Sequence, residues 1–586
     1  MKIINKKIVL FLSLIVSLIF NCSVLGMLGI QRNLFFVMEL FAFFQFLGFN
    51  FLVFLLLEKV KKTFLALSTF LFYIYFALIA YHLIFGTSLD YSFFALNIRN
   101  LPYLIPAYWH YFVLVLVASI ANAFFFSEVF YKINERKNRR LIFLACTISL
   151  FFTPYLTGYQ NLNNSLFNFL GTINRRDNII SIYEMYRKDL IEKNISQREK
   201  LIEVNKKNSP SYLDNVVIIN IESLNNNLVN KKITPNFIEL AKEGTLLPYF
   251  YSNSVQTILA EENILCGLPS SFNLDLYKNG DDKKLFCLPE FFKKLGYKTF
   301  FLKSFNLQFE NTGEFMKDIG FDEVQADNLM QKDDPRYLWG FREDFFYKRA
   351  FEYLASSTKS KGNFIYLQSG PTNHWSFEIP ADINFKVPYE NPKTFKEKIS
   401  NTTFIQDYYL PVAWQELNKL FPQKNYTLII VGDHSWPIGI HLTEKDGQKL
   451  PNIFNENGAW EENFLTSAIL IVGNEESFKN KVNPYNYSSI DIFPSIVSAF
   501  GYQLENSKFQ QSIFENKPKG YNLTIQPFGN RYINFYQGNQ KYQYNASTKS
   551  FIIFDLAIDP EEKNGKILST KKSDNLKIIS KNLLNL

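Results

Sequence analysis

The chain has 586 residues, 47% hydrophobic and 17% aromatic, too long for one ordinary domain and too apolar for a disordered chain. Its formal net charge of +8 does not mark a nucleic-acid binder, because no nucleic-acid motif accompanies it and many basic residues sit in short loops between apolar runs. Near residue 158 the character changes from long Phe- and Leu-rich stretches to a mixed, water-soluble pattern.

About 20 apolar residues are needed to span a hydrocarbon core. Five stretches meet this: Ile8–Ile30, Leu34–Leu57, Phe64–Gly86, Ala107–Tyr131 and Leu141–Gly158. They predict a transmembrane domain of five helices over residues 1–158. The first is too long for a signal-peptide core, and further spans follow at once. Lys2, Lys6, Lys7, Lys59, Lys61, Lys62, Lys132, Arg136, Lys137, Arg139 and Arg140 fall on one side, against only Arg32 and Arg99 on the other. The basic side faces the cytoplasm, so five spans place everything after about Gly158 outside. Glu39, His82, His110 and Glu128 lie within the spans. We favour interfacial or interhelical pairing for them over a path for lipid headgroups.

Residues 159–213 are a polar linker, helical near Ile182–Val204. They lie along the membrane surface or form a solvated connector. The outer domain, residues 214–586, alternates β-rich runs with helical segments. The runs are Val216–Ile221, Lys298–Leu302, Phe364–Gln368, Tyr426–Val431 and Ala468–Val472; helices are expected at Pro235–Glu243, Pro289–Leu295, Asp344–Ala355 and Ile490–Phe500. This pattern predicts an α/β domain with a mostly parallel sheet and helices on both faces. Its site belongs beyond the carboxyl ends of the strands.

Glu222 follows the first run, Asn373, His374 and Trp375 the third, and Gly432, Asp433 and His434 the fourth. All three histidines of the outer domain, His374, His434 and His441, fall in such loops. A single Asp-His pair is more often a turn or cap. Shared placement at one sheet edge favours a divalent cation, with Mn2+ best suited to carboxylates plus one imidazole and Mg2+ or Zn2+ also compatible. Thr257 opens a helix that ends at Gly267 and Pro269. Alone it reads as an N-cap; beside a metal it reads as a nucleophile whose hydroxyl is activated by the ion and the helix dipole. Cys266 and Cys287 either pair in an oxidising compartment or remain two buried thiols.

The ordered set, five spans followed by Ile-Glu222-Ser, Thr257 opening a helix, Asn373-His374 and Gly-Asp433-His434, resembles lipoteichoic acid synthase of the alkaline phosphatase/sulfatase-like superfamily. Leu295-Gly-Tyr-Lys-Thr-Phe, Gly320-Phe-Asp, Ser489-Ile-Asp491-Ile-Phe-Pro and the closing Phe554-Asp-Leu-Ala-Ile-Asp-Pro-Glu-Glu support it over nearly the whole chain. The resemblance implies one divalent metal, usually manganese, on Glu222, Thr257, Asp433 and His434, with Thr257 also the nucleophile. It implies substrate contacts from His374, Trp339 and Arg342, with His441 nearby. The context Val-Gln-Thr257-Ile-Leu and the two cysteines depart from the Gram-positive enzymes and point to a Gram-negative envelope.

The implied activity is transfer of phosphoglycerol from phosphatidylglycerol to a glycan, lipid or polymer acceptor through a phospho-threonine, at the outer face of a bacterial inner membrane. Its nearest rival is phosphoethanolamine transfer to lipid A or an envelope glycan, and a phosphodiesterase or phosphatase is a third reading. Sulfate ester hydrolysis is set aside, because Thr257-Ile-Leu-Ala-Glu261 lacks the Cys/Ser-x-Pro-x-Arg motif that formylglycine formation needs.

Overall fold

The structure is a computed structural model. It describes residues 60–85, 101–134, 177–200, 202–203, 211–272, 285–337, 339–374, 377–436, 459–504, 508–527, 531–546 and 548–584, with scattered positions between 46 and 57 and at 89 and 94. Contacts divide the chain into Met1–Arg175 and Arg176–Leu586.

In the first unit, α1 (Lys61–Phe85) and α2 (Leu101–Asn134) contain stretches of 20 and 23 residues, Lys61–Ala80 and Trp109–Tyr131, long and apolar enough to cross a membrane. One face of each packs inward through Phe64, Phe72, Phe126 and Phe130. Phe70, Val117 and Phe124 are exposed on the other, as side chains solvated by lipid would be. Lys61 and Glu128 pair at 3.5 Å between the helices, which accords with the interhelical reading of Glu128. The second stretch is described only in part, and the first, the fifth, Glu39 and the side chain of His82 lie outside the described residues. The count of five spans is therefore an expectation from sequence.

The second unit begins with α3 (Asn178–Lys200), in the stretch expected to be linker. It is not a solvated connector, because its inner face is buried in this unit. Ile179, Ile180 and Tyr183 enter a hydrophobic cluster, and Arg187 is fully buried. Then come β1 (Asn215–Ile221), α4 (Pro235–Ala241), β2 (Thr245–Tyr251), α5 (Thr257–Cys266), α6 (Leu288–Lys294), β3 (Lys298–Lys303), α7 (Thr312–Asp318), β4 (Glu323–Gln325), α8 (Glu343–Ser357), β5 (Asn363–Ser369), α9 (Phe395–Leu420), β6 (Tyr426–Gly432), β7 (Leu465–Val472) and α10 (Ile492–Ala499).

The main sheet has the order β2-β7-β6-β1-β5-β3-β4, extended beside β2 by the short strands Lys481–Val482 and Tyr487–Ser488. The β6-β1-β5-β3-β4 pairs are parallel, and β7 runs antiparallel to both its neighbours. The expected parallel sheet thus holds except at β7. Side-chain alternation explains the continuous apolar runs. Ile365 and Leu367 of β5 face a core built with Phe346 of α8 and Leu410 of α9. Phe364, of opposite parity, stacks on Phe292 of α6 with ring centres 4.5 Å apart.

A second sheet of five antiparallel strands follows: β8 (Asn522–Gln526), β9 (Tyr532–Gln537), β10 (Gln540–Asn545), β11 (Ser550–Asp555) and β12 (Lys566–Ser569). Its apolar face packs on α3 and on α11 (Lys572–Leu584) through Leu523, Ile533, Phe551, Ile579 and Leu583.

Candidate active site

Parallel register brings the strand-end residues together. Ile221 of β1 lies opposite Gly432 of β6 and Ser369 of β5. The residues that follow, Glu222, Asp433-His434 and the loop to His374, therefore leave the sheet at one edge. Glu222 Oε1 is 3.3 Å from His434 Nε2, and Asp433 Oδ2 is 3.6 Å from the same nitrogen. All three side chains are buried, and their candidate ligand atoms lie within 4.8 Å of one another.

Thr257 is the first residue of α5 rather than its cap. The cap position is Gln256, in extended conformation. The Thr257 hydroxyl instead donates to Glu222 Oε2 at 3.2 Å. The capping explanation of this threonine is thereby removed.

The backbone around the carboxylates is tightly held. Ser223 sits at φ 53°, and its N–H donates to Asp433 Oδ1 at 2.8 Å. Its hydroxyl donates to Glu222 Oε1 at 2.7 Å. Asn373 donates to the Glu222 and Ser223 carbonyls, both at 3.1 Å, and accepts from Thr402 of α9 at 2.8 Å. Gly370, at φ 117°, has to be glycine, since a Cβ there would lie 2.6 Å from the Glu222 Cβ.

The residues fit a divalent cation. Among the described residues, Asp433 Oδ2 is buried with no hydrogen-bond partner, an arrangement that is costly unless something else satisfies it. Donors each about 2 Å from one ion lie roughly 3–4 Å apart, and the Glu222–His434 and Asp433–His434 distances fall in that range. Electrostatics agree. Burial works to raise Glu222, but the imidazole of His434 overcomes it and holds the carboxyl at about 2. Burial and then the Glu222 charge push Asp433 up to about 7. Burial opposes the charged form of His434, yet Asp433 and Glu222 raise it to about 9. Two carboxylates compete for one positive charge, which a cation would supply in place of the proton.

A pocket opens beside the triad, lined among others by Glu222, Thr257, Trp339 and His374. The rings of Trp339 and His374 lie 3.9 Å apart. Arg342 does not line it. Its guanidinium is engaged by Asp344 at 2.7 Å and Asp382 at 2.8 Å. The cation in the pocket wall is Lys303, at the end of β3, whose ammonium donates to Thr312 Oγ1 at 3.0 Å. Asking what stands at each strand end would have found Lys303 had that strand been read one residue longer. Glu310, Phe305, Phe309 and Gln368 line the same pocket and carried no signal of their own. His441 and Trp375 lie outside the described residues. Cys266 and Cys287, left open by the sequence, form a disulfide joining the end of α5 to the start of α6.

Comparison with known proteins accords with this geometry. Residues 214–502 match the Sulfatase family. A protein of the alkaline phosphatase superfamily from Vibrio parahaemolyticus is 19% identical, covering 69% of this chain and 96% of its own, with a TM-score of 0.51. The lipoteichoic acid synthase LtaP from Listeria monocytogenes is also 19% identical, covering 67% and 96%, with a TM-score of 0.50. At these identities the structural likeness speaks for the fold alone, and the family match speaks for residues 214–502, which are similar to the Sulfatase family.

Proposed function

We propose that this protein transfers the phosphorylated headgroup of a membrane phospholipid to an envelope acceptor, through a covalent intermediate on Thr257. The observation that carries the reading is the Thr257 hydroxyl, 3.2 Å from Glu222 at the mouth of a buried carboxylate–imidazole triad and facing a pocket. Glu222, Asp433 and His434, with Thr257 Oγ1, would hold one divalent ion, manganese by the resemblance, and that ion would supply Lewis-acid stabilisation of negative charge on the reacting oxygens.

The chain's own groups then do the following. Thr257 Oγ1 forms a bond to phosphorus as the bond to the diacylglycerol oxygen breaks, and the hydroxyl proton ends on diacylglycerol. Glu222, the acceptor of the Thr257 hydrogen bond, orients that hydroxyl. Lys303 and His374, both in the pocket wall, balance charge on the phosphate. In the second half an acceptor hydroxyl displaces Thr257, which regains a proton. Water in place of the acceptor would give a phosphodiesterase. The apolar helices of the first unit supply the reason for a lipid donor: they hold the domain at a bilayer. The Cys266–Cys287 disulfide supports an oxidising, extracytoplasmic location.

Phosphoglycerol, from phosphatidylglycerol, is the headgroup implied by the resemblance to lipoteichoic acid synthase, and phosphoethanolamine is its rival. The triad and Thr257 address only the phosphate, so the pocket wall has to discriminate. Acceptors of glycan, lipid or polymer type are all compatible with an open second step. The test is Thr257→Ala in the full-length chain with labelled phospholipid vesicles. Headgroup transfer and the protein-bound adduct are both expected to vanish, with melting changed by about 1 kcal/mol or less, the scale of one lost hydrogen bond. Transfer at the wild-type rate would overturn the mechanism.

A further inference from the structure

The last strand and helix carry charge and exposed apolar surface that packing does not explain. From Lys563 to Leu584 there are six lysines and a single acidic residue, Asp574, in a chain whose net charge is +8. All six lysines are exposed. Within this segment β12 is the edge strand of the second sheet, with β11 as its neighbour. Ile567 is 62% and Leu568 40% exposed. Successive side chains of a strand point to opposite faces, so neither packing face of the sheet accounts for both.

The lysines are not placed for stability. Lys571 precedes α11 and Lys572 opens it, where the helix dipole disfavours a cation. Among the described residues none of Lys566, Lys571 and Lys572 pairs with a carboxylate, whereas Lys563 is held by Glu561. The place of this edge in the unit is also informative. Phe551 of β11 lies opposite both Tyr544 of β10 and Ser569 of β12. Tyr544 donates to Asp177 at 2.8 Å, at the residue where the chain enters this unit. The edge therefore stands two strand spacings, about 10 Å, from the strand that holds the chain's entry. The residues before that entry include the stretches long and apolar enough to cross a membrane.

We infer that the edge formed by β12 and the start of α11 docks on the surface of an anionic bilayer. Ile567 and Leu568 enter the headgroup region, and Lys566, Lys571 and Lys572 lie against lipid phosphates. This rests on the membrane-anchored reading of the chain and not on the chemistry at Thr257. An open strand edge cannot enter hydrocarbon without stranding backbone N–H and C=O groups, so the contact stops at headgroup level. A second copy pairing along β12 would bring like-charged lysines together, and a soluble polyanion gains nothing from Ile567 and Leu568. A bilayer uses both kinds of side chain. Docking of this kind holds the catalytic unit in one orientation to the lipid surface.

The test uses the full-length chain with Cys22→Ser and Cys146→Ser, reconstituted into phosphatidylcholine vesicles containing about 30% phosphatidylglycerol. Ile567→Cys or Val482→Cys carries a thiol-reactive fluorophore, and lipids with a headgroup-level nitroxide quench it. Val482 is the control, because it is equally exposed at 62% but lies at the edge of the main sheet. Quenching at position 567 is expected to be at least about threefold that at 482. It is expected to fall to the control level in vesicles of phosphatidylcholine alone and in Lys566→Gln/Lys571→Gln/Lys572→Gln, whose melting should match the parent. Equal quenching at the two positions, or quenching at 567 that ignores both lipid charge and the three lysines, overturns the inference. Dimers crosslinked through Ile567→Cys without quenching would assign the edge to a second copy. Protection of that position by soluble polyphosphate, again without quenching, would assign it to a polyanion, and either result overturns the inference too. No turnover is read, so a failure of the Thr257 mechanism leaves the outcome standing.

Discussion

Arg187→Met tests whether α3 belongs to the catalytic unit. Arg187 and Glu262 are 2% and 1% exposed and pair at 2.5 Å, joining α3 to α5, the helix that Thr257 opens. Arg187 Nε also donates to the Pro269 carbonyl at 2.7 Å, just past the end of α5. Removing the guanidinium strands the Glu262 charge in the interior and takes that donor from Pro269. Breaking one side of a buried pair costs about 3–5 kcal/mol. Unfolding entropy of about 2.1 cal/mol/K per residue over about 410 residues makes about 0.9 kcal/mol/K, so a loss of about 4 kcal/mol lowers Tm by about 4–5 °C. Melting of the detergent-solubilised chain, followed by tryptophan fluorescence, reads this directly. Arg187→Met/Glu262→Met is expected to recover much of the loss, because two apolar side chains strand no charge. A single variant that melts within about 1 °C of wild type, or a double variant as damaged as the single, would refute the reasoning.

Three further outcomes follow from the site and its supports. Asp433→Ala/His434→Ala is expected to copurify with little or no divalent metal by elemental analysis, and undiminished metal would remove the triad from consideration. Glu343 is fully buried beside Thr372, and burial pushes its carboxyl up to about 7 despite hydrogen bonds from Thr372. A raised carboxyl favours the fold below its unfolded pKa, and that contribution is lost as pH rises from about 4.5 to about 7, at most about 3 kcal/mol. Glu343→Gln should therefore flatten the urea-stability profile across this window, and a parallel profile would argue against a protonated Glu343. Cys266→Ser/Cys287→Ser opens a link across 21 residues. It is expected to cost about 3 kcal/mol by loop entropy, read as a lower urea midpoint that reductant reproduces in the wild type.

The sequence revealed the parallel strands because burial on both faces leaves uninterrupted apolar runs, and Val216–Ile221 and Tyr426–Val431 are such runs. Glu222 and Asp433 could be read because each follows its strand at once. β2 was missed, and Pro248 is the reason. A proline argues against a strand, yet the register between β2 and β7 shifts between Thr466 and Ala468, where Pro248 and Tyr249 have no partner. α9 was missed similarly, since Pro411 lies inside it. Arg342 was expected at the substrate from the family resemblance, whereas its guanidinium is engaged by Asp344 and also by Asp382, 40 residues on. Such distant partners leave no local trace.

The packing of α3 against α11 sets an order of events for folding. Ile179, Ile180 and Tyr183 at the start of the unit share one cluster with Ile579 and Leu583 of α11, and Tyr544 donates to Asp177 just before α3 at 2.8 Å. Until the residues of α11 have been made and delivered, α3 lacks part of the surface it buries, and the brace on the back of α5 is incomplete. Synthesis proceeds from the amino end, so the strands carrying Glu222 and Asp433 emerge well before their threonine is finally clamped. The buried face of α3 is therefore complete only once α11 has been made and has docked on the same cluster.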